Sequence, residues 1–379
     1  MWSTPTANMA KPNAIQGPTN QTSSRREKIW AAVSVPLVAV LVALLVGAII
    51  IASNGVNPLS AYTSLLRGAF GDLTAIGRTL EKATPLLFSG LAVSFAFKAG
   101  LFNIGAQGQL LFGGITAAAI GFGVHGLPTI IHLPLALFGG ALAGALYGII
   151  PGLLKVGTGA HEVITTIMLN YIAINITDFL ADGPWKDTSA SNIVARTPLI
   201  LDTAVIPRVA DLPLGFFLAV AVALLVWWVL EKSTLGFEIR TSGLNPRAAR
   251  YSGIKVARTI VLTMVLSGFL AGMGGAVETM GVIGRYQPGF NQGLGFEGIT
   301  VALLGKTHPL GNILAAILIG AIKSGSSLMQ RVGVDPEITS VLQALMLFFV
   351  AADVLIRKFI NVRADEGAPN LSSRWGDAK

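Results

Sequence analysis

The chain has 379 residues, 53% of them hydrophobic and only 12% charged, with no cysteine and a formal net charge of +8. A soluble domain carries roughly 25% charged residues, so most of this surface faces something other than water. The lack of cysteine excludes a disulfide framework and a thiolate metal site. The cation surplus reads as loop residues that orient membrane spans, not as a nucleic-acid footprint.

Residues 1–28 read as a disordered inner tail, rich in Ser, Thr, Asn and Pro and closed by Arg25, Arg26 and Lys28. An apolar run from Ile29 to Ala52 follows. It exceeds the apolar core of a signal peptide, about 7–15 residues, and predicts an uncleaved first span. Ten spans are predicted in all: 30–52, 84–97, 101–122, 133–154, 162–181, 213–230, 259–281, 291–305, 309–329 and 338–356. The second and eighth are short, as broken or re-entrant segments are, and such segments need surrounding protein or a water-filled cavity. The fold class is therefore all-α, a polytopic transmembrane helical bundle over 29–358, with an inner tail at 359–379.

Most of the 27 Lys and Arg fall on the side of the N-terminus, which predicts both termini inside. Loops 53–83 and 182–212 are then outside, and loop 231–258 is inside. In the first outer loop Leu59, Tyr62, Leu65, Leu66 and Phe70 recur at helical spacing, as in a helix that lies on the membrane surface or meets a partner. Gly140, Gly144, Gly148 and Gly152 recur every four residues and give the fourth span a smooth face for close helix packing. Lys323 falls within a span, while Glu162, Glu278 and Glu297 lie near span ends.

Three catalytic or nucleotide motifs fail. His161-Glu162 begins half a zinc-protease motif, but Thr165 stands where the second His is needed. Gly305-Lys306-Thr307 resembles the end of a phosphate-binding loop, but Thr300 replaces its first glycine. No nucleophile elbow of the G-x-S-x-G type occurs. No catalytic residue, metal or cofactor is therefore assigned.

The inner loop carries more information. Asn245 suits a helix N-cap, Pro246 its first turn and Gly253 its end. This predicts a two-turn helix bearing the small residues Ala248 and Ala249, shaped either as a solvated connector or for docking into a partner's groove. The stretch including Gly243, Leu244, Asn245, Pro246, Ala248, Ala249, Tyr251, Gly253 and Ile254 resembles the coupling helix of ABC importer permeases of the branched-chain amino acid and ribose family. Leu101–Gln109 resembles the FNIGAEGQ signature of that family's nucleoside branch. Glu162–Ile172 resembles its EVI-TIMLNYIA segment, and Gly295–Gly311 its GFDGIAVALLGRNHPLG segment. The likeness runs from about residue 60 to 358. Gln107 stands where the signature has Glu, and Glu297 where the branch has Asp.

The resemblance implies the larger of two paired permeases in the bacterial cytoplasmic (inner) membrane. It implies two ATP-binding subunits, or one fused double ATPase, a second paralogous permease and an external nucleoside-binding lipoprotein. Polar side chains in lipid are costly and face a cavity or another helix. Asn103, Gln107, Gln109, Glu162, Thr166 and Asn170 are accordingly candidates for a substrate pathway or for interhelical hydrogen bonds, and Phe102 is a candidate aromatic wall of that pathway. Asn103 and Gln107 are expected to share one helix face, and Glu162, Thr166 and Asn170 another. A permease for a sugar or other polar solute, an ion-coupled secondary transporter and a membrane enzyme remain as alternatives.

Overall fold

The computed structural model describes residues 25–189, 194–289 and 293–352. The 359–379 tail and the end of the last predicted span lie outside the described residues, as does the inner tail up to residue 24. Residues 25–28 are helical, not part of a disordered tail.

In chain order the helices are α1 (Arg25–Ser53), α2 (Pro58–Phe70), α3 (Leu73–Lys98), α4 (Ala106–Gly123), α5 (Thr129–Thr158), α6 (Glu162–Asp182), α7 (Leu214–Lys232), α8 (Thr234–Leu244), α9 (Pro246–Tyr251), α10 (Val256–Glu278), α11 (Leu294–Leu304), α12 (Pro309–Arg331) and α13 (Glu337–Ala351). A π-helical turn, Thr279–Ile283, extends α10. A hairpin between α6 and α7 pairs β1 (Arg208–Val209) with β2 (Leu212–Pro213). Its two turn residues, Ala210 and Asp211, both have positive φ, as a tight two-residue hairpin requires. Six described segments are long and apolar enough to cross a membrane: Pro36–Ser53 of α1, α5, α6, α7, α10 with its π turn, and α12. The protein is a multi-pass membrane protein of the all-α class.

Helix α3 is the centre of the bundle. Every residue from Ala83 to Ala96 is buried, and α7, α10, α11 and α12 pack around it. The predicted short span 84–97 is the largely buried C-terminal half of this 26-residue helix. The N-terminal part of α3 falls in a predicted loop because Arg78, Glu81 and Lys82 interrupt the apolar run there. The predicted loop 53–83 thus contracts to two short links around α2. Asn57 caps α2 by accepting from the Leu59 N–H, and Asp72 caps α3 by accepting from the Ala75 N–H. Helix α2 packs into the bundle through Ala61, Leu65, Gly68 and Ala69, and a Cβ on Gly68 would come within 2.9 Å of the Gly325 backbone on α12.

The glycines of α5 line a seam against α10 and α4. A Cβ on Gly148 would come 2.5 Å from the Met264 carbonyl, and one on Gly140 2.6 Å from the Gly113 carbonyl. Gly152 faces Val261, while Gly144 meets Gly268 and Gly272 backbone to backbone. Small residues permit this approach, and dispersion between backbones holds it where lipid supplies no hydrophobic drive.

Candidate translocation and coupling sites

The segment between α3 and α4 is not helical. Leu101, Asn103 and Gly105 are nevertheless buried, so protein groups must satisfy this irregular backbone. Asn103 therefore does not share a helix face with Gln107: it lies in the non-helical link, and Gln107 is the second residue of α4. The Asn103 amide donates to Gln109 Oε1 at 2.9 Å and to Ser267 Oγ at 2.8 Å, and its Oδ1 accepts from the Gly105 N–H. Ser267 in turn donates to the Ala92 carbonyl of α3 at 2.7 Å.

Two further amides act as helix caps supplied from other helices. The cap residues of α4 and α11, Gly105 and Gly293, make no side-chain cap bond. Asn170 of α6 accepts from the Gly108 N–H in the first turn of α4 and donates to the Ile104 carbonyl, both at 2.9 Å. Gln107 Oε1 accepts from the Gly295 N–H in the first turn of α11 at 2.8 Å. First-turn N–H groups lack partners within their own helix, so each of these bonds satisfies an orphan donor. A glutamate at 107 would present the same acceptor atoms, so Gln107 keeps the bond to α11 and removes the charge.

Glu162, Thr166 and Asn170 do share the buried face of α6. Thr166 donates to the Glu162 carbonyl at 2.6 Å, and the Glu162 carboxylate pairs with Lys155 of α5 at 2.8 Å. Phe102 is half-buried and meets Phe97 edge to face at 4.6 Å. Sequence reasoning missed Ser267 and Gly295 as partners, and also the ion pair of Glu297 with Lys323 at 2.7 Å. A lysine inside an apolar span was the available signal for that pair.

Loop 231–258 is two helices set at an angle. Ser233 caps α8 by accepting from the Gly236 N–H at 3.0 Å. Asn245 caps α9 by accepting from the N–H groups of Arg247 and Ala248, both at 3.0 Å, with Pro246 at the first helical position. Gly253 follows with φ +83°, a conformation that suits glycine. Gly243 is pressed on the backbone of Lys98, Ala99 and Gly100 at the end of α3, where any Cβ would collide. Arg240 of α8 pairs with Glu231 of α7 at 2.6 Å. Nearby, burial and then the Lys98 ammonium hold the His308 imidazole below its ordinary value.

The tip exposes Leu244 (67%) and Tyr251 (94%) with Ala248, Arg247 and Arg250. Ala249 is fully buried, so the two adjacent alanines do not present one smooth surface. Ile254 is half-buried, and its N–H donates to the Ala249 carbonyl.

Residues 75–351 match the family model described as the permease component of the branched-chain amino acid transport system. The chain belongs to that family of transport permeases. It is 40% identical over 340 residues to the guanosine ABC transporter permease protein NupP of Bacillus subtilis, covering 88% of this chain and 97% of the relative. It is 36% identical over 348 residues to the nucleoside ABC transporter permease protein NupB of Lactococcus lactis, covering 88% and 96%. The glucose ABC transporter permease protein TsgB13 of Haloferax volcanii is 31% identical over 342 residues, covering 87% and 90%. No solved structure matches the chain.

Proposed function

We propose that this chain is one of two paired permease subunits of an ATP-driven nucleoside importer in the bacterial cytoplasmic membrane. Its partners are a second, paralogous permease, two ATP-binding subunits or one fused double ATPase, and an external nucleoside-binding lipoprotein. ATP hydrolysis belongs to the partner subunits. The cargo reading rests on the named cargoes of the relatives that align along nearly their whole length.

The chain crosses ten times with both termini inside: α1, α3–α7, α10, the link to α11 with that short helix, α12 and α13. The tip of α8 and α9 lies inside and seats in the ATPase. The observation that carries this reading is the seating of α8 on the end of α3, through Gly243 against Lys98–Gly100. That contact lies within five residues of Asn103, the hub that joins α3, α4 and α10. Closure of an ATPase on α9 would therefore move α8, then α3, then the α3–α4 link. Asn103, Gln107, Gln109 and Asn170 hold the helices around the pathway in register, Thr166 bonds back to the Glu162 carbonyl of its own helix on the same buried face, Phe102 lies beside them, and the Lys155–Glu162 pair closes the inner end of α5 and α6.

The test uses the cysteine-free chain. Ser252→Cys, exposed at the end of α9, should react with an impermeant thiol reagent only from the inner face. Purified complex in proteoliposomes should take up radiolabelled nucleoside in an ATP-dependent way, with excess glucose failing to compete. Labelling of Ser252→Cys from outside in intact cells would contradict the orientation, and uptake driven by an ion gradient without ATP would contradict the class.

A further inference from the structure

The exposed surface of the bundle is of two kinds. Along α1, Leu37, Leu41, Leu45 and Ile49 are each more than half exposed at a spacing of four residues. Leu135, Phe138, Leu142 and Leu146 are likewise exposed along α5, at spacings of three and four residues. Such faces suit lipid. Helix α12 starts in the same way, with Leu310 and Leu314 exposed. Its outer half changes. Lys323, Ser327 and Gln330 share one face there, with Ser327 and Gln330 exposed.

At the base of this polar face stands the ion pair. Lys323 Nζ donates to both carboxylate oxygens of Glu297 at 2.7 Å. The two side chains keep 27% and 26% of their exposure in the single chain. At about 1.5 Å rise per residue, Lys323 is about 21 Å along α12 from Pro309 and about 12 Å from Arg331. A lysine at that depth would ordinarily reach toward the near interface, but this one is turned to α11. Charges within the hydrocarbon face a bundle interior or a water-filled cavity. The hydroxyls of Ser326 and Ser327 bond to carbonyls of their own helix and would be tolerated in lipid, whereas the ion pair and Gln330 would not.

We propose that the outer half of α12, with the first turn of α11, lines a water-filled vestibule open to the outside, and that the Glu297–Lys323 pair is its cargo-binding floor. The proposal rests on the permease reading given above and adds a specific contact to it. The pair has no net charge, so it suits an uncharged solute and does not hold a cation, as a lone carboxylate would. Each Glu297 oxygen has lone pairs beyond those that Lys323 uses, and vicinal hydroxyls are matching donors. A ribose carries such a pair of hydroxyls.

The experiment has two arms. In the first, Ser327→Cys is introduced into the cysteine-free chain of the assembled complex and treated from outside with a charged, membrane-impermeant thiol reagent. Rapid labelling is expected. An unreactive thiol, with the complex assembled, would mean that lipid or another subunit covers this face, and the proposal falls. In the second, Glu297→Gln should reduce ribonucleoside uptake about ten-fold, the loss expected for one hydrogen bond to a charged group. Uptake of a 2′,3′-dideoxynucleoside should change little, so the preference between the two narrows. Glu297→Asp keeps the carboxylate and should keep both uptake and preference, while the narrowed preference in Glu297→Gln separates a cargo contact from a structural one, which would lower uptake of both solutes alike. An unchanged preference in Glu297→Gln would remove the cargo role. Should the unaltered complex take up no nucleoside, the cargo reading fails, while Ser327→Cys still reports on the vestibule.

Discussion

Along the seam between α5 and α10, Gly144 and Gly268 each leave room for the other's carbonyl, and no side chain intervenes. At the tip of α8 and α9, Leu244, Ala248 and Tyr251 stand exposed on a helix held by its Asn245 cap and by the Gly243 contact beneath it. The seam has no room to change. The tip is fixed on its inner side and open on its outer side. Volume added at the seam should therefore act on folding, while volume added to the open side of the tip should act only on what docks there.

The largest effect is expected from Gly144→Leu. Its side chain would have to displace the backbone of α10, and overpacking of this kind costs about 3 kcal/mol or more. Little monodisperse protein should be recovered from membranes, as read by size-exclusion chromatography in detergent. Wild-type yield and thermal midpoint would break the contrast with the tip.

A smaller effect is expected within the tip itself. Ala249 is buried, so Ala249→Trp should destabilise the protein by about 1–3 kcal/mol through overpacking, and its thermal midpoint should fall. An unchanged midpoint would mean that α9 is not seated as the structure has it. Smaller again is Asn170→Leu, which strands the Ile104 carbonyl and the Gly108 N–H. An unsatisfied buried group costs about 1–3 kcal/mol, part of which the added apolar burial of leucine offsets. A small drop in the midpoint with nucleoside affinity unchanged fits a joining role, whereas weakened affinity at full stability would place Asn170 on the pathway.

Much of the fold was legible because bilayer thickness imposes a length on apolar runs, and six long segments followed directly. What was not legible has physical reasons. The predicted span is shorter than helix α3 because three charged residues, of which Arg78 and Lys82 are exposed, sit in its N-terminal half. The predicted third span begins at 101, ahead of the helix start at Ala106, because Leu101, Phe102 and Ile104 carry the apolar run through a link that is not helical. That error produced the expected shared face of Asn103 and Gln107. Their bonds run to Ser267 and Gly295, 164 and 188 residues away in sequence, and local spacing carries no trace of such partners. At the tip, the cap residues Asn245 and Pro246 were readable because capping is local. The burial of Ala249 was not, since it depends on how α9 packs against the rest of the chain.

The coupling role of the exposed tip is the centre of the account, and Ala248→Trp tests it most directly. Ala248 is exposed on α9 beside the buried Ala249, so the change should alter stability by no more than about 0.5 kcal/mol. The variant complex should be purified and assayed together for co-eluting ATPase and for ATP-driven nucleoside uptake in proteoliposomes. The account predicts a wild-type thermal midpoint for the permease with uptake reduced sharply, the ATPase either dissociating or hydrolysing ATP without transport. Normal ATPase content together with normal uptake would make the tip a solvated connector and contradict the account.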